Sequence, residues 1–407
     1  MSKIKRINVD ELRPGMFIHD LNCGWMHHGF LLPRFEVRDE TMIERIVSNG
    51  IKEVYIDIER GLDVRHAFTR QQVRADIEAG VRSLGEFRQQ RLARSISIDE
   101  ERRRASVIYL DAAATVKRLL EDTRFGRQLE IERIDPLIER IVESIFRHTD
   151  ALIPLARLKR HDSYTFEHAV ATSALMVAFG RNMGFEREVI RDIASGAMLQ
   201  DVGMATVPTA IVEKSTRMTE VESAVVRNHV EQSHLLVGDV GRLSDLALEV
   251  IAQHHERVDG SGYPYRLAGA EISTYGQMAA IVDVYDAMTS PRPYRQAMTP
   301  TAALRKLYEW SRFHFNPELV QAFIRTIGIY PVGALVKLES GRLGVVVEQT
   351  ESLLEPKVRI FYNTKTGNFI TPELIKVGRG LGANHGPIVS HEAFENWNLD
   401  PARWVPT

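Results

Sequence analysis

Histidine side chains are concentrated in one part of the 407-residue chain, between residues 148 and 255. Seven of the 14 histidines lie there: His148, His161, His168, His229, His234, His254 and His255. Imidazole together with carboxylate suits Fe, Mn or Zn, and such ions activate water for hydrolysis. Cys23 is the only cysteine, which excludes both an internal disulfide and a cysteine-based zinc site. A metal site in this region would therefore be built from imidazole and carboxylate groups.

Five predicted helices carry the side chains that could bind such a metal. The first three helices hold His168 (helix 165–179), Asp201 (end of helix 186–200) and His229 (helix starting near Glu220). The last two hold His254 and His255 (end of helix 245–255) and Asp283 and Asp286 (helix 277–290). Helical bundles build metal sites from facing helices in this way. A single helical histidine is nevertheless more often a hydrogen-bonded structural residue, and we assign that role to His148, His161 and His234.

The pattern along the chain predicts a mainly α fold. A helical bundle over residues 127–330 is preceded by a small α/β domain at 1–64 and followed by a small β extension and tail at 331–407. In the first domain we expect a helix at 40–48 and a strand at 52–58. In the extension we expect strands at 334–338, 344–348 and 357–362, with a tail after residue 380. One apolar helix face is formed by Ile134, Leu137, Ile138, Ile141, Val142 and Ile145.

Residues 65–126 are predicted to be a charged helical linker. Ten arginines against six acidic residues fall within 65–104, with few large apolar side chains. This composition favours a solvated helical segment. The alternative is a regulatory or partner-binding arm.

The overall composition limits the classes of partner. A hydrophobic fraction of 44% and a charged fraction of 26% are typical of a globular protein. The formal net charge of -2 provides no general attraction to a nucleic acid polymer or an anionic membrane. No apolar run approaches the roughly 18 residues of a membrane span, and the first ten residues lack a signal-peptide core. We therefore expect a cytoplasmic protein.

One segment carries a family resemblance. Residues 254–264, His-His-Glu-Arg-Val-Asp-Gly-Ser-Gly-Tyr-Pro, resemble the HHExxDGxGYP signature of the HD-GYP family. Supporting similarities are found at 163–168, at Asn228-His229, at 283–290 and at 292–295. The family is a branch of the HD metal-dependent phosphohydrolases, and its members hydrolyse the bacterial second messenger cyclic di-GMP. Residues 1–64 resemble a domain of unknown function found in some members, and the segment from Tyr330 resembles their β extension.

The resemblance implies a set of functional residues. The metal ligands of the family fall on His168, Asp201, His229, His254, His255 and Asp283, and Asp201 would bridge two metal ions as the catalytic carboxylate. Tyr263 and Gly262 would shape the substrate entrance. Arg292 and Arg295 would bind the phosphates, because guanidinium matches phosphate oxygens geometrically. Surface ion pairing is an equally good account of these two arginines.

The HD motif itself departs from the family pattern. Gln200 replaces a ligand histidine, and its neutral amide oxygen is a poorer donor to a transition metal. Met204 replaces a lysine and therefore brings neither a charge nor a hydrogen-bond donor. Tyr164 lies where some members carry a glutamate that binds a third metal, so a trinuclear site is not expected. We predict a dinuclear or partly occupied site.

Two functions remain open. In the first, the protein is a working or attenuated cyclic di-GMP phosphodiesterase that yields the linear dinucleotide or GMP. In the second, it is a catalytically inactive module that binds cyclic di-GMP or a partner protein, such as a diguanylate cyclase domain, through the signature loop. A phosphohydrolase acting on another nucleotide is a third reading.

Overall fold

A computed structural model describes the chain over residues 3–23, 34–64, 66–85, 97–155, 164–212, 214, 216, 218–238, 240–241, 243–290, 297–378 and 380–406. The N-terminal part is a mixed α/β unit around one antiparallel sheet. Its strands are β1 (Ile4–Asn8), β2 (Phe17–Asp20), β3 (Phe35–Glu36), β4 (Glu53–Asp57) and β5 (Phe68–Thr69), in the order β3-β2-β4-β1-β5. Helix α1 (Glu40–Ser48) has the predicted bounds. Asp39 caps it by accepting a hydrogen bond from the Met42 amide at 2.9 Å.

Two helices connect this unit to the bundle, α2 (Arg70–Leu84) and α3 (Ile98–Arg124). The segment is helical, as predicted, but it is not solvated throughout. The apolar side of α3, including Ala105, Ile108, Ala112 and Val116, lies in a buried cluster shared with the next helices. Arg103 and Arg104 are exposed on α3, whereas Arg102 is itself buried and donates a hydrogen bond to the Val347 carbonyl at 2.6 Å.

The bundle consists of short and medium helices. They are α4 (Asp135–Arg147), α5 (Thr149–Leu152), α6 (Tyr164–Met183), α7 (Arg187–Leu199), α8 (Thr209–Val212), α9 (Glu220–Arg227), α10 (His229–Gly238), α11 (Asp245–Gln253), α12 (Thr274–Thr289), α13 (Pro300–Trp310) and α14 (Pro317–Ile327). Helices α6, α7, α11 and α12 pack against one another in a closed ring of contacts. The apolar face predicted from Ile134 to Ile145 is buried on α4. This inner group of helices carries most of the predicted ligands.

The helix predicted to hold His229 is two helices. Thr219 and Glu222 form a capping box, with the Glu222 amide donating to Thr219 Oγ1 at 3.2 Å and the Thr219 amide to Glu222 Oε2 at 2.6 Å. Helix α9 then ends at Arg227, and His229 is the first residue of α10.

The C-terminal part is a second antiparallel sheet. Its strands are β6 (Leu335–Leu338), β7 (Arg342–Glu348), β8 (Lys357–Asn363), β9 (Asn368–Lys376) and β10 (Ile388–Glu392), in the order β10-β6-β7-β8-β9. The segment predicted as a tail contains β10, which pairs with β6, and the short helix α15 (Pro401–Trp404), whose Trp404 stacks on Phe361 at 3.8 Å. One buried cluster joins this sheet to α12, α13 and α14. The mainly α fold with a sheet at each end is confirmed.

Among the described residues, the N-terminal unit packs on the bundle through contacts of its sheet, of α1 and of the turn after α1. Tyr55 donates a hydrogen bond to Glu309 on α13, and Lys306 donates to Asn22. Arg45 on α1 forms an ion pair with Glu220 at the start of α9. Gly50 lies against Ser261, so close that an added Cβ would be 2.4 Å from the Ser261 Cβ. Within the described residues, no helix is long and apolar enough to cross a bilayer.

Candidate metal centre

Four predicted ligands form one compact cluster. One ligand atom from each of Asp201, His229, His254 and His255 lies within 4.8 Å of the others, and the three imidazoles are buried. Asp201 follows the end of α7, His229 begins α10, and the His254–His255 pair follows α11. Asp201 Oδ1 is 3.0 Å from His229 Nε2 and 3.6 Å from His254 Nε2. The four side chains therefore converge although three helices supply them.

Backbone carbonyls fix the orientation of two of these imidazoles. His229 Nδ1 is 2.7 Å from the Val226 carbonyl, and His254 Nδ1 is 2.8 Å from the Ile251 carbonyl. Each carbonyl accepts a hydrogen bond from Nδ1, which points Nε2 toward Asp201. An imidazole held in this way by its other nitrogen is the usual arrangement of a metal ligand.

A second group of side chains adjoins the first through His168. His168 Nε2 is 3.0 Å from Asp283 Oδ1 and 3.5 Å from Asp201 Oδ2. His255 Nδ1 is 3.7 Å from Asp283 Oδ2. The structure thus brings all six predicted ligands together, and their roles as ligands remain predictions. His148 and His234 do not belong to the metal-binding group found among the described residues, and His161 lies outside those residues.

Burial and the neighbouring charged groups shift the pKa values of His168, His255 and Asp201. Burial opposes a charge on His168, but the hydrogen bonds that its ring donates to Asp283 and Asp286 outweigh it and raise its pKa to about 9. Burial and the neighbouring histidines lower the pKa of His255 well below its usual value. Burial alone would raise the pKa of Asp201, yet hydrogen bonds to His229 and His254 hold it well below its usual value. A carboxylate anion facing imidazoles is a donor set that suits a divalent cation.

Gln200 occupies a buried position beside Asp201. Only 1% of its surface is exposed, and neither amide atom has a hydrogen-bond partner among the described residues. Leaving a buried polar group unsatisfied costs about 1–3 kcal/mol. An ion or an ordered water at the cluster would satisfy this amide. The orphaned amide is therefore consistent with a site that binds a metal.

A close approach of two backbones positions Asp201. An added Cβ on Gly203 would lie 2.2 Å from the His229 carbonyl oxygen and 2.5 Å from the Ser233 nitrogen. The Gly203 amide donates to Ser233 Oγ at 2.8 Å. Only glycine therefore lets the turn after α7 pack directly on α10. Met204 is half-buried in the short 3-10 helix Val202–Thr206 of this turn.

The signature loop, residues 256–264, is fixed from both sides. The buried Glu256 carboxylate accepts hydrogen bonds from the amides of Tyr265 at 2.8 Å and Leu267 at 3.1 Å. Asp259 Oδ2 is 3.1 Å from His314 Nδ1, and Asp259 Oδ1 accepts from Ser261 Oγ at 2.6 Å. These contacts hold the loop next to the histidine cluster.

Two loop residues were predicted to shape the substrate entrance. The Tyr263 ring stacks on His255 with centroids 4.6 Å apart, and its hydroxyl has no partner within the part of the chain that the structure describes. An added Cβ on Gly262 would lie 2.5 Å from the Arg257 nitrogen, so this glycine is required for backbone packing. Their contact with substrate remains a prediction. Arg292, Arg295 and the side chain of Tyr164 lie outside the described residues.

Sequence reasoning named Asp286 as a side chain that could bind a metal, but it did not predict its place behind His168, where Asp286 Oδ2 is 2.5 Å from His168 Nδ1. It assigned no role to Glu256 or His314, which hold the signature loop. Nothing in the sequence indicated the contact of His314 with a loop more than 50 residues away.

Two protein families match the chain. The HD domain family matches residues 144–319, and a domain of unknown function, DUF3391, matches residues 4–134. The cyclic di-GMP phosphodiesterase PA4108 of Pseudomonas aeruginosa is 37% identical over 403 residues, which covers 97% of this chain and 94% of that protein. The chain belongs to the HD-GYP family.

Two further similarities are more limited. A 3'3'-cGAMP-specific phosphodiesterase of Vibrio cholerae is 36% identical over 133 residues, 32% of this chain and 26% of that protein. An HDG"Y"P protein from Bdellovibrio bacteriovorus aligns structurally at a TM-score of 0.47 and 16% identity, over 79% of this chain and 98% of that chain.

Proposed function

We propose that this HD-GYP protein is a metal-dependent cyclic di-GMP phosphodiesterase in bacterial second-messenger signalling, attenuated by Gln200 and Met204. The observation that carries the proposal is the buried cluster of Asp201, His229, His254 and His255. The similarity to a cyclic di-GMP phosphodiesterase along nearly the whole chain supports the choice of substrate. The product is the linear dinucleotide or GMP.

In this proposal two divalent ions would be held by His168, Asp201, His229, His254, His255 and Asp283, with Asp201 as the carboxylate that would be shared between them. When bound, paired ions lower the pKa of a shared water and stabilise the attacking and leaving oxygens of a phosphodiester. The protein orients its imidazoles through the carbonyls of Val226 and Ile251. Fe, Mn and Zn all suit this donor set.

Attenuation is proposed on chemical grounds. The Gln200 amide oxygen is a weaker donor than the imidazole of the family pattern, which lowers the occupancy of one metal position. Met204 has no charge to offer a phosphate. Losing one such contact commonly reduces the rate by about 10²–10³.

The experiment compares the wild type with the double variant Gln200→His, Met204→Lys. Metal content and cyclic di-GMP turnover are measured for both, with Asp201→Asn as the inactive control. We expect slow turnover by the wild type and a rate at least about tenfold higher for the double variant. Equally rapid turnover by both would contradict attenuation. A parallel assay with 3'3'-cGAMP tests the choice of substrate.

The second candidate is a catalytically inactive module. It is favoured by one observation: both replacements fall in the HD motif, whereas the signature loop keeps its internal contacts. Such a module would bind cyclic di-GMP or a diguanylate cyclase domain. In the same experiment, a wild type that binds cyclic di-GMP but contains no metal and gives no turnover would support this candidate.

A further inference from the structure

Helix α3 carries a regular repeat on its exposed side. The repeat consists of exposed residues that alternate in spacing between four and three positions: Arg103, Val107, Leu110, Ala114, Lys117 and Glu121. This spacing places side chains in one row along a helix, and it is the spacing with which one helix packs against another in a coiled coil. We call this row the α3 stripe.

The centre of the α3 stripe is apolar. Val107 is 61% exposed and Leu110 is 68% exposed, and they lie three positions apart on the same side of the helix. The opposite side of α3 is already buried in the core of the bundle. The fold of one chain therefore leaves a second apolar side of this helix in water, where a partner helix would cover it favourably.

The two ends of the α3 stripe carry opposite charges. Arg103, at the N-terminal end, is exposed and has no ion pair among the described residues. Glu121, at the C-terminal end, pairs with Lys117 at 3.9 Å, and both side chains are more than half exposed. Such an exposed pair is weak, so the Glu121 carboxylate is open to a second cation.

A second copy of the same helix in antiparallel orientation is complementary in charge. With the two-fold axis level with Ala112, Arg103 of each copy faces Glu121 of the other, and one turn further out Glu100 faces Arg124. The symmetry repeats each attractive pair. A parallel arrangement would instead put Arg103 beside Arg103 and Glu121 beside Glu121, which like-charge repulsion disfavours.

The same antiparallel register matches the apolar centre. Leu110 of one copy faces the small side chain of Ala114 of the other, so a large residue meets a small one on both sides of the axis. Val107 faces Lys117, whose aliphatic stem covers apolar surface while its ammonium group stays in water. We propose that the α3 stripe is the interface through which two copies of this chain form an antiparallel dimer.

The test measures self-association of the full chain by sedimentation equilibrium at low ionic strength. Arg103→Glu and Glu121→Arg each turn two attractive pairs of the dimer into two repulsive pairs, so we expect each variant to dimerise at least about tenfold more weakly than the wild type. Lys365→Glu, which makes the same change of charge in the turn between β8 and β9, is the control for Arg103→Glu and should dimerise like the wild type.

Mixing the two charge variants provides the decisive comparison. In an equimolar mixture each Arg103→Glu chain meets a Glu121→Arg chain, every end pair is attractive again, and dimerisation should return to the wild-type strength. Arg103 and Glu121 lie about 27 Å apart along one helix, so they cannot contact each other within a copy. Recovery in the mixture can therefore arise only between copies.

Leu110→Gln tests the apolar centre. We expect it to weaken the dimer while circular dichroism shows an unchanged helix content, because Leu110 is exposed in the single chain. Added salt should weaken the wild-type dimer by screening the end pairs. A wild type that stays monomeric at every concentration would overturn the proposal and leave the α3 stripe to another occupant. Wild-type association in both charge variants, or a mixture that associates no better than either variant alone, would also overturn it.

Discussion

His168 has two carboxylate neighbours with different expected roles. Its Nε2 faces Asp283, a predicted ligand, while its Nδ1 is 2.5 Å from Asp286. A carboxylate behind a ligand imidazole fixes the ring orientation and raises its basicity as a ligand. Asp286 is therefore a positioning residue for the metal centre, acting through His168.

Replacing Asp286 with asparagine should weaken metal binding. The amide is nearly the same size, but it lacks the charge that holds the His168 ring, so we expect metal affinity to fall by about 10–100-fold. The measurement is a metal titration of the purified apoprotein. Asp192→Asn is the control, because Asp192 lies on α7 nine residues before Asp201, roughly 13 Å away along a helix. Equal affinities in both variants would contradict the role of Asp286.

At the scale of elements, the site depends on how closely the turn after α7 approaches α10. The neighbours of Gly203 are the backbone atoms His229 O and Ser233 N, which cannot move away as a flexible side chain would. A displacement here changes the distance between Asp201 and His229, two of the four clustered ligands. The packing of two elements therefore determines the geometry of the metal centre.

The variant Gly203→Ala should lower both stability and metal content. We expect a loss of about 1–3 kcal/mol in the free energy of unfolding, typical of an overpacked position. Gly238→Ala is the matched control, since Gly238 ends α10 and an added Cβ there meets nothing within 4 Å. Thermal unfolding and metal analysis measure the two effects. A Gly203→Ala variant with the metal content of the control would show that this contact does not position the ligands.

The sequence predicted elements with local signals and missed those set by distant contacts. Helix α1 was bounded correctly, with the Asn49-Gly50 turn as its stop signal, and the helix start predicted near Glu220 is the first residue of α9. Strand β10 was missed because its partner β6 lies about 50 residues earlier in the chain. The convergence of the six predicted ligands followed from the resemblance. The contact of Arg227 with Tyr263 could not be predicted from the sequence, because it depends on how α9 packs against the signature loop.

At the scale of the whole molecule, the N-terminal unit contacts the elements that support the site. Gly50 touches Ser261 of the signature loop, whose Oγ donates to Asp259, and Arg45 pairs with Glu220 at the start of α9. Tyr55 reaches α13 through Glu309. A shift of this unit would therefore be transmitted to the loop that carries Tyr263.

Gly50→Ala tests this connection against a control with the same backbone conformation. Gly50 has φ +73° and Gly126 has φ +70°, so alanine at either position brings a similar backbone strain of about 1 kcal/mol. An added Cβ at Gly126 meets nothing within 4 Å, whereas at Gly50 it meets Ser261. We expect Gly50→Ala to lower Tm more than Gly126→Ala and to weaken cyclic di-GMP binding, with metal content unchanged. Equal Tm values and equal cyclic di-GMP affinities in the two variants would indicate that the N-terminal unit and the signature loop are independent.

The C-terminal sheet affects when, during synthesis of the chain, the candidate metal centre can become stable. It shares a buried cluster with α12, the helix that carries Asp283 and Asp286, and it is completed only when β10 pairs with β6. Translation proceeds from the N-terminus, so every predicted ligand leaves the ribosome before this supporting sheet can form. Helix α12 must therefore wait for later residues to cover its apolar side. Stable metal loading is accordingly expected as a late step, after β10 has been synthesised and has paired with β6.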